Sequence, residues 1–271
     1  MHFAVIWSIN HTIVTHHVSP KKALGQHFLA DAHIARQIAG SLTGHGNYTT
    51  VLEVGPGTGM LSRHLAERKD IRWYGLDVDG ESVRYLHARF PELRDRIIEG
   101  DFLSWDISTI AGEEPVAVIG NFPYNISSQI LFRVLYNRYQ VPEVVGMFQK
   151  EVARRIAAPP GSKTYGILSV LMQAFYEVEL LFDVPPHVFV PPPKVDSTVL
   201  RFTSRPDMSL DCDETLFFAV VKTAFNQRRK TLRNSLKGMH IDWAELDSRM
   251  QGERPEQLTV QEFVEIARQV G

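Results

Sequence analysis

Apolar positions along the chain fall into short, regularly spaced runs. Strand-like runs lie at Thr50–Val54, Ile71–Leu76, Arg96–Glu99, Val116–Ile119 and Glu143–Phe148. Between most of them the apolar residues recur at helical spacing: Met60, Leu61 and Leu65; Val83 and Leu86; Ile130, Leu131, Val134 and Leu135. An earlier helix is predicted after Asp31, a good N-cap, through Ile34, Ile38 and Leu42, stopping before Gly44. Strands alternating with helices imply a mostly parallel sheet covered on both faces. Ligands of such sheets bind beyond the carboxyl ends of the strands, so the residues just after each strand are the candidates for chemistry.

The texture then changes. Two more strands are predicted at Tyr176–Val184 and Val195–Phe202, joined by the proline-dense stretch from Pro185 to Pro193. From about Arg205 onward only helical patterns remain, such as Leu216 to Phe225 and Val260 to Val270. The expected organisation is an α/β domain over residues 18–205 and a small all-helical domain over 206–271. Residues 1–17, which hold His2, His11, His16 and His17, read as a disordered extension rather than a metal site.

Composition narrows the class. Hydrophobic residues make up 44% and charged residues 22%, a globular balance. Lys and Arg total 29 against 31 Asp and Glu, a net charge of −2, which excludes a uniformly basic coat but not a local basic face. The single cysteine, Cys212, excludes an internal disulfide and a Cys-cluster zinc site, and fits a reducing cytosol. No stretch approaches the ~20 apolar residues that cross a bilayer. The apolar run Phe3–Ile9 is short and lacks the preceding Lys or Arg of a secretory signal. A cytoplasmic protein with no membrane partner and no metal is expected.

Three consecutive strand ends carry suggestive residues. The first runs into Glu53-Val54-Gly55-Pro56-Gly57-Thr58-Gly59, where glycines let the backbone turn sharply and approach a ligand closely. A hydride-transfer enzyme would show Gly-x-Gly-x-x-Gly, with the third glycine where Met60 stands. The E-x-G-x-G-x-G pattern instead resembles motif I of S-adenosylmethionine-dependent methyltransferases; a tight turn in another nucleotide fold is the alternative. The second strand ends at Asp77, where a carboxylate can accept from both hydroxyls of a ribose, while Asp79 is expected to start the next helix. The third ends in Gly100-Asp101-Phe102, where Asp101 either accepts from the exocyclic amine of an adenine or is a surface turn residue.

After the fourth strand comes Asn121-Phe122-Pro123-Tyr124. It resembles motif IV, N-x-P-Y, of enzymes that methylate an exocyclic amine on a nucleobase. Such an amine is a poor nucleophile because its lone pair is delocalised into the ring. The Asn121 oxygen and a backbone carbonyl held by the rigid Phe122-Pro123 unit can bind its two hydrogens, favouring a pyramidal nitrogen aimed at the methyl group. Positioning and electrostatics would then carry catalysis, and Tyr124 offers a face for the extruded base. The bland alternatives are a turn asparagine and a core tyrosine. Phe122 in the second position brings the motif closer to RNA adenine methyltransferases than to the N-P-P-Y type of DNA enzymes.

Two further segments narrow the resemblance. Pro20-Lys21-Lys22-Ala23-Leu24-Gly25-Gln26-His27-Phe28-Leu29 is similar to P-K-K-x-L-G-Q-[NH]-F-L, and Phe189 to Ser197 is similar to F-x-P-x-P-K-V-D-S. Together the four ordered motifs resemble the small-subunit ribosomal RNA adenine dimethyltransferase family, the kasugamycin-sensitivity methyltransferase and its eukaryotic relatives, over roughly residues 18–271. The resemblance implies a Rossmann-like S-adenosylmethionine-dependent methyltransferase sheet. It implies two methyl groups placed on each of two adjacent adenines, in a hairpin loop near the 3′ end of 16S rRNA in the small ribosomal subunit. It also implies that His27 and Leu29 join Gly55, Asp77, Asp101 and Asn121 around S-adenosylmethionine. Phe189 would lie opposite Tyr124 and complete a catalytic set with Asn121 and Pro123. Residues 1–17 depart from the family, whose bacterial members usually begin just before Pro-Lys-Lys.

Between Thr215 and His240 there is no Asp or Glu, yet Lys222, Arg228, Arg229, Lys230, Arg233 and Lys237 all occur. Such a run is often a solvated face; in a helical region of a near-neutral enzyme acting on RNA it is a candidate phosphate-binding face. Lys150, Arg154, Arg155 and Lys163 could extend it beside the catalytic rim. Two competing functions share these features: a large-subunit rRNA adenine dimethyltransferase of the macrolide-resistance type, and a non-catalytic RNA-binding assembly factor. A monomer is expected.

Overall fold

The structure is a computed structural model that describes residues 18–271; the expectation for residues 1–17 lies outside them. In chain order the strands are β1 (Phe28–Leu29), β2 (Thr50–Val54), β3 (Arg72–Asp77), β4 (Ile97–Glu99), β5 (Val116–Asn121), β6 (Glu143–Gln149), β7 (Tyr176–Val184), β8 (Phe189–Val190) and β9 (Ser197–Ser204). The helices of the first part are α1 (Ala32–Gly40), α2 (Ser62–Ala66), α3 (Gly80–Arg89), α4 (Ser108–Ala111), α5 (Ser127–Tyr136), α6 (Lys150–Ile156) and α7 (Ile167–Phe175). After Arg205 follow α8 (Glu214–Asn226), α9 (Leu232–Ser235), α10 (Ser248–Gly252) and α11 (Val260–Arg268).

Seven strands form one sheet in the order β4-β3-β2-β5-β6-β9-β7. The five from β4 to β6 are parallel; β9 and β7 add antiparallel to that edge. Strands β2 and β5 are buried along almost their whole length, as expected for strands covered on both faces. Neighbouring residues of one strand serve opposite cores: Val51, Ala117 and Val145 pack with α1, α2 and α3, while Leu52, Val118 and Val144 pack with α5 and α7. The connections run outward in both directions from the β2–β5 pair, which makes the gap between their carboxyl ends the switch point where ligands of such sheets bind.

Local signals set the helix starts. Asp31 caps α1 by accepting the N–H groups of His33 and Ile34 at 2.8 and 3.0 Å, and Asp79 caps α3 by accepting the Glu81 N–H at 3.0 Å. In α11, Thr259 and Glu262 form a reciprocal capping box.

Secondary structure does change at Arg205, but the core does not. Phe217, Val220 and Val221 of α8 and Phe263 and Ile266 of α11 belong to the same buried cluster as Leu52 and Val118 of the sheet. Among the described residues no helix is long and apolar enough to cross a membrane.

Candidate active site

The strand ends do converge. Gly55, Asp77, Asp101, Asn121, Pro123 and Tyr124, together with His27, line one cavity of about 280 Å³ at the switch point. Leu76, Phe102, Phe122 and Ile126 add apolar wall.

The glycine turn is required by its backbone. Gly55 and Gly57 have φ values of 70° and 54°, a region that costs any residue with a Cβ. A Cβ on Gly57 would also stand 2.9 Å from the Phe28 ring, so the turn fits tightly beneath the N-terminal segment. Asp77 fixes the turn from the next strand: its carboxylate accepts the Gly57 N–H at 3.0 Å and the Asp79 N–H at 2.9 Å. Burial raises the Asp77 pKa above the ordinary carboxylate range, against the pull of those two N–H groups. Each of its oxygens keeps a second lone pair, the capacity a ribose diol needs. Asp101 is exposed at the cavity rim and accepts the Leu103 N–H at 3.0 Å through Oδ1, which leaves Oδ2 for a ligand; Phe102 beside it is buried.

Behind the turn, Glu53 is wholly buried and accepts from the Trp73 indole N–H at 2.9 Å. Burial pushes its carboxyl pKa up to about 7, with the indole hydrogen bond pulling the other way.

The Pro20–Leu29 segment roofs the cavity. Lys21 Nζ meets Asp79 Oδ1 at 2.5 Å and Glu81 at 3.2 Å, and Gln26 donates to Asp79 at 3.3 Å. Asp79 is therefore both the helix cap anticipated and a fastening point that was not. His27 sits at the centre of the roof. Its carbonyl accepts the Asn121 side-chain N–H at 2.8 Å, and its ring stacks on Tyr124 with centroids 5.5 Å apart. Its Nδ1 lies 2.7 Å from the Pro191 carbonyl; a carbonyl only accepts, so Nδ1 carries the proton. The same logic fixes Asn121: Nδ2 faces the His27 carbonyl, so Oδ1 occupies the other edge of the amide. Tyr124 is held by its hydroxyl, 2.6 Å from Ser197 Oγ, and burial keeps its phenol pKa above the ordinary value despite that bond.

The side chains of two expected site residues face the core. The Leu29 side chain is buried in the α1–α3 core and does not line the cavity. Phe189 is only 2% exposed, packed in that same core, and pairs with Leu29 in the β1–β8 ladder. The ring facing Tyr124 is His27, not Phe189. Both departures have one cause: the two-residue ladder turns Leu29 and Phe189 inward together, where apolar side chains gain most. Sequence reasoning also gave Lys21, Gln26 and Ser197 no role of their own, although all three stand inside motifs it had quoted.

The basic run is divided by its contacts. Arg228 bonds the Lys163 carbonyl at 2.5 Å and lies 3.6 Å from Glu256; Arg233 donates to Gln251 at 2.7 Å. Lys222 sits over the Phe132 ring at 5.7 Å. Arg229 and Lys230, in the turn between α8 and α9, have no ion-pair partner among the described residues. Arg228 and Arg229 line a shallow hollow with Lys163, Arg254 and Glu256, away from the strand-end cavity.

The cavity suits an S-adenosylmethionine-sized nucleoside cofactor on its own geometry: a glycine turn that a Cβ would fill, carboxylates at the next two strand ends, and apolar walls. Comparison with known proteins agrees. Residues 18–268 match the family described as Ribosomal RNA adenine dimethylase. A Ribosomal RNA small subunit methyltransferase A from Cytophaga hutchinsonii is 54% identical over 249 residues, 92% of this chain and 96% of the relative. The protein of the same name from Flavobacterium johnsoniae is 53% identical over 253 residues, 93% of this chain and 96% of the relative. A crystallised dimethyladenosine transferase from Plasmodium falciparum shares the fold, with TM-score 0.71 at 22% identity, covering 89% of this chain and 96% of that one. A strand-end methyltransferase cavity and a match over nearly all the described residues place the chain in the ribosomal RNA adenine dimethylase family.

Proposed function

We propose that this protein methylates the N6 amines of two adjacent adenines in a hairpin loop near the 3′ end of 16S rRNA. It acts on the small ribosomal subunit in the cytoplasm, as a monomer, with S-adenosylmethionine and no metal. The observation that carries the mechanism is the Asn121 amide on the cavity wall, with its N–H spent on the His27 carbonyl and its oxygen left as an acceptor.

S-adenosylmethionine supplies an electrophilic methyl group on a positively charged sulfur. The chain supplies the rest. Asp77 and Asp101 hold the nucleoside end of the cofactor, and the Gly55–Gly57 turn lets the backbone approach it. Asn121 Oδ1 accepts one hydrogen of the target amine. The second acceptor is the Phe122 carbonyl; that of Pro123 keeps only one lone pair, since it takes the Ile126 N–H at 3.2 Å. Phe122 is buried and edge-on to Phe148, so this acceptor is rigid. With both hydrogens held, the nitrogen lone pair is freed from the ring and aimed, and the enzyme contributes positioning and electrostatics rather than a covalent step. Tyr124 gives the extruded base a neutral aromatic face. Arg229 and Lys230, with Lys222, Arg228 and Arg233 about them, form the phosphate-binding face.

The relatives' small-subunit name favours this substrate over a large-subunit adenine, and the fully furnished cavity favours an enzyme over a retired binding factor. The test is transfer of labelled methyl groups to undermethylated small subunits, large subunits and naked rRNA, with mapping of the modified adenines. Label confined to two adjacent small-subunit adenines is expected. Label on the large subunit, or none, would refute the proposal.

A further inference from the structure

A second cavity of about 630 Å³ borders the His27–Tyr124 stack. It is lined by Lys22, Gln149, the three prolines Pro191 to Pro193, Lys194 and Val195, and it shares Gly25, Gln26, His27 and Tyr124 with the cofactor cavity. Of its lining, the strand-end chemistry calls only on His27 and Tyr124.

Three features say what it takes. First, its cations are unspent. Around this rim Lys21 is paired with Asp79 and Glu81, and Lys150 with Asp183 and Asp196. Lys22 and Lys194, which line the cavity, have no such partner among the described residues. Second, Pro191 and Pro192 present exposed apolar faces, and Val195 is left 46% exposed at the rim, a large apolar side chain with nothing over it. Flat apolar surface beside free lysines suits a nucleobase and its phosphate. Third, the two cavities share Gly25, Gln26, His27 and Tyr124 as lining, so a ligand in one lies next to a ligand in the other.

We infer that this cavity binds the nucleotide covalently adjacent to the adenine being methylated, with Lys22 and Lys194 on the connecting phosphate and the prolines against its base. Gln149 is placed to read that base: a carboxamide can donate to N7 and accept from N6 of an adenine at once. The inference rests on the proposed base methylation. It would explain how an enzyme of this kind recognises a pair of adenines rather than a single one.

The experiment is calorimetric titration of the full-length protein, saturated with S-adenosylhomocysteine, with the dinucleotide ApA and with adenosine 5′-monophosphate. ApA should bind the wild type about tenfold more tightly, the scale of one charge-assisted contact. Lys22→Ala/Lys194→Ala should lose that margin while its affinity for S-adenosylhomocysteine, which also reports an intact fold, stays unchanged. Equal affinities in the wild type, or an undiminished margin in the variant, would overturn the inference. Failure of the wild type to methylate small subunits would instead strike the catalytic proposal, and is read in a separate assay.

Discussion

The side-chain amide of Asn121 donates to the backbone carbonyl of His27 at 2.8 Å, across 94 residues of sequence. The Asn121 side chain is therefore not oriented by its own strand but by the N-terminal roof, which is fastened in turn to Asp79 through Lys21. A backbone carbonyl cannot be lost by substitution at His27, so the orienting contact survives either His or Asn at that position.

Asn121→Ala should keep the fold, because Asn121 is only partly buried at the end of β5. Methyl transfer should fall by about 10²–10³-fold, the cost of removing one preorganised electrostatic contact. Single-turnover methylation of undermethylated small subunits at saturating cofactor measures it. Near-wild-type turnover would remove the motif from the catalytic centre.

Asp77→Ala removes the expected ribose acceptor and also the bond to the Gly57 N–H. Cofactor affinity should weaken by about 1–3 kcal/mol, the range for hydrogen bonds to a charged group. Calorimetry on chelator-treated protein should show the same loss and an undiminished wild-type affinity. A wild type that no longer binds after chelation would contradict a metal-free site.

For RNA binding, Arg229→Ala/Lys230→Ala should weaken affinity across sequences and flatten its salt dependence, by about one unit of log–log slope for each phosphate no longer neutralised. Arg228→Ala and Arg233→Ala should do less to the slope, since these side chains are already engaged with Glu256 and Gln251. An unchanged slope in the double variant would move the RNA face elsewhere.

Glu53→Gln should stabilise the protein in a pH-dependent way. The folded-state pKa of about 7 lies above the ordinary 4.5, so native stability falls as pH rises between those values and the full penalty persists above them. At about 1.4 kcal/mol per unit the penalty is on the order of 3 kcal/mol. Glutamine keeps an acceptor for the Trp73 N–H without the charge. Thermal melts should show the variant above the wild type at pH 8, with the gap closing towards pH 5. A gap that does not vary with pH would mean the carboxyl is not the cause.

The parallel strands were legible because doubly covered strands write themselves as unbroken apolar runs; at the antiparallel edge Tyr176–Val184 also matches β7 end to end. The apolar pattern starts the last strand at Val195, yet pairing starts only at Ser197, because Val195 lines an open cavity instead. Helix α7 left no helical period, since its Ile-Leu-Ser-Val-Leu-Met-Gln-Ala-Phe sequence is apolar on nearly every side. The two-residue strands β1 and β8 exist only through each other, which no local pattern can announce. Asp77, Asp101 and Asn121 were legible for a different reason: each stands at or just beyond the carboxyl end of a strand, a position sequence alone can mark, whereas His27 came only with the resemblance. That the Leu29 and Phe189 side chains face the core was not legible, because an apolar side chain near a site looks the same in sequence whether it faces ligand or core.

The helices that follow Arg205 share their interior with the sheet, through Phe217, Val221 and Phe263 beside Leu52 and Val118. That continuity makes the basic turn between α8 and α9 unsuitable as an interchangeable module. A chimera cut at Arg205, joining this sheet to the tail of a distant relative, would bring together two half-interiors shaped for other partners. Mismatched packing of that kind costs several kcal/mol, comparable with the whole margin of a folded domain. Substrate preference in such a chain can drift by surface substitution, but it cannot be exchanged by shuffling segments without recutting the sheet beneath.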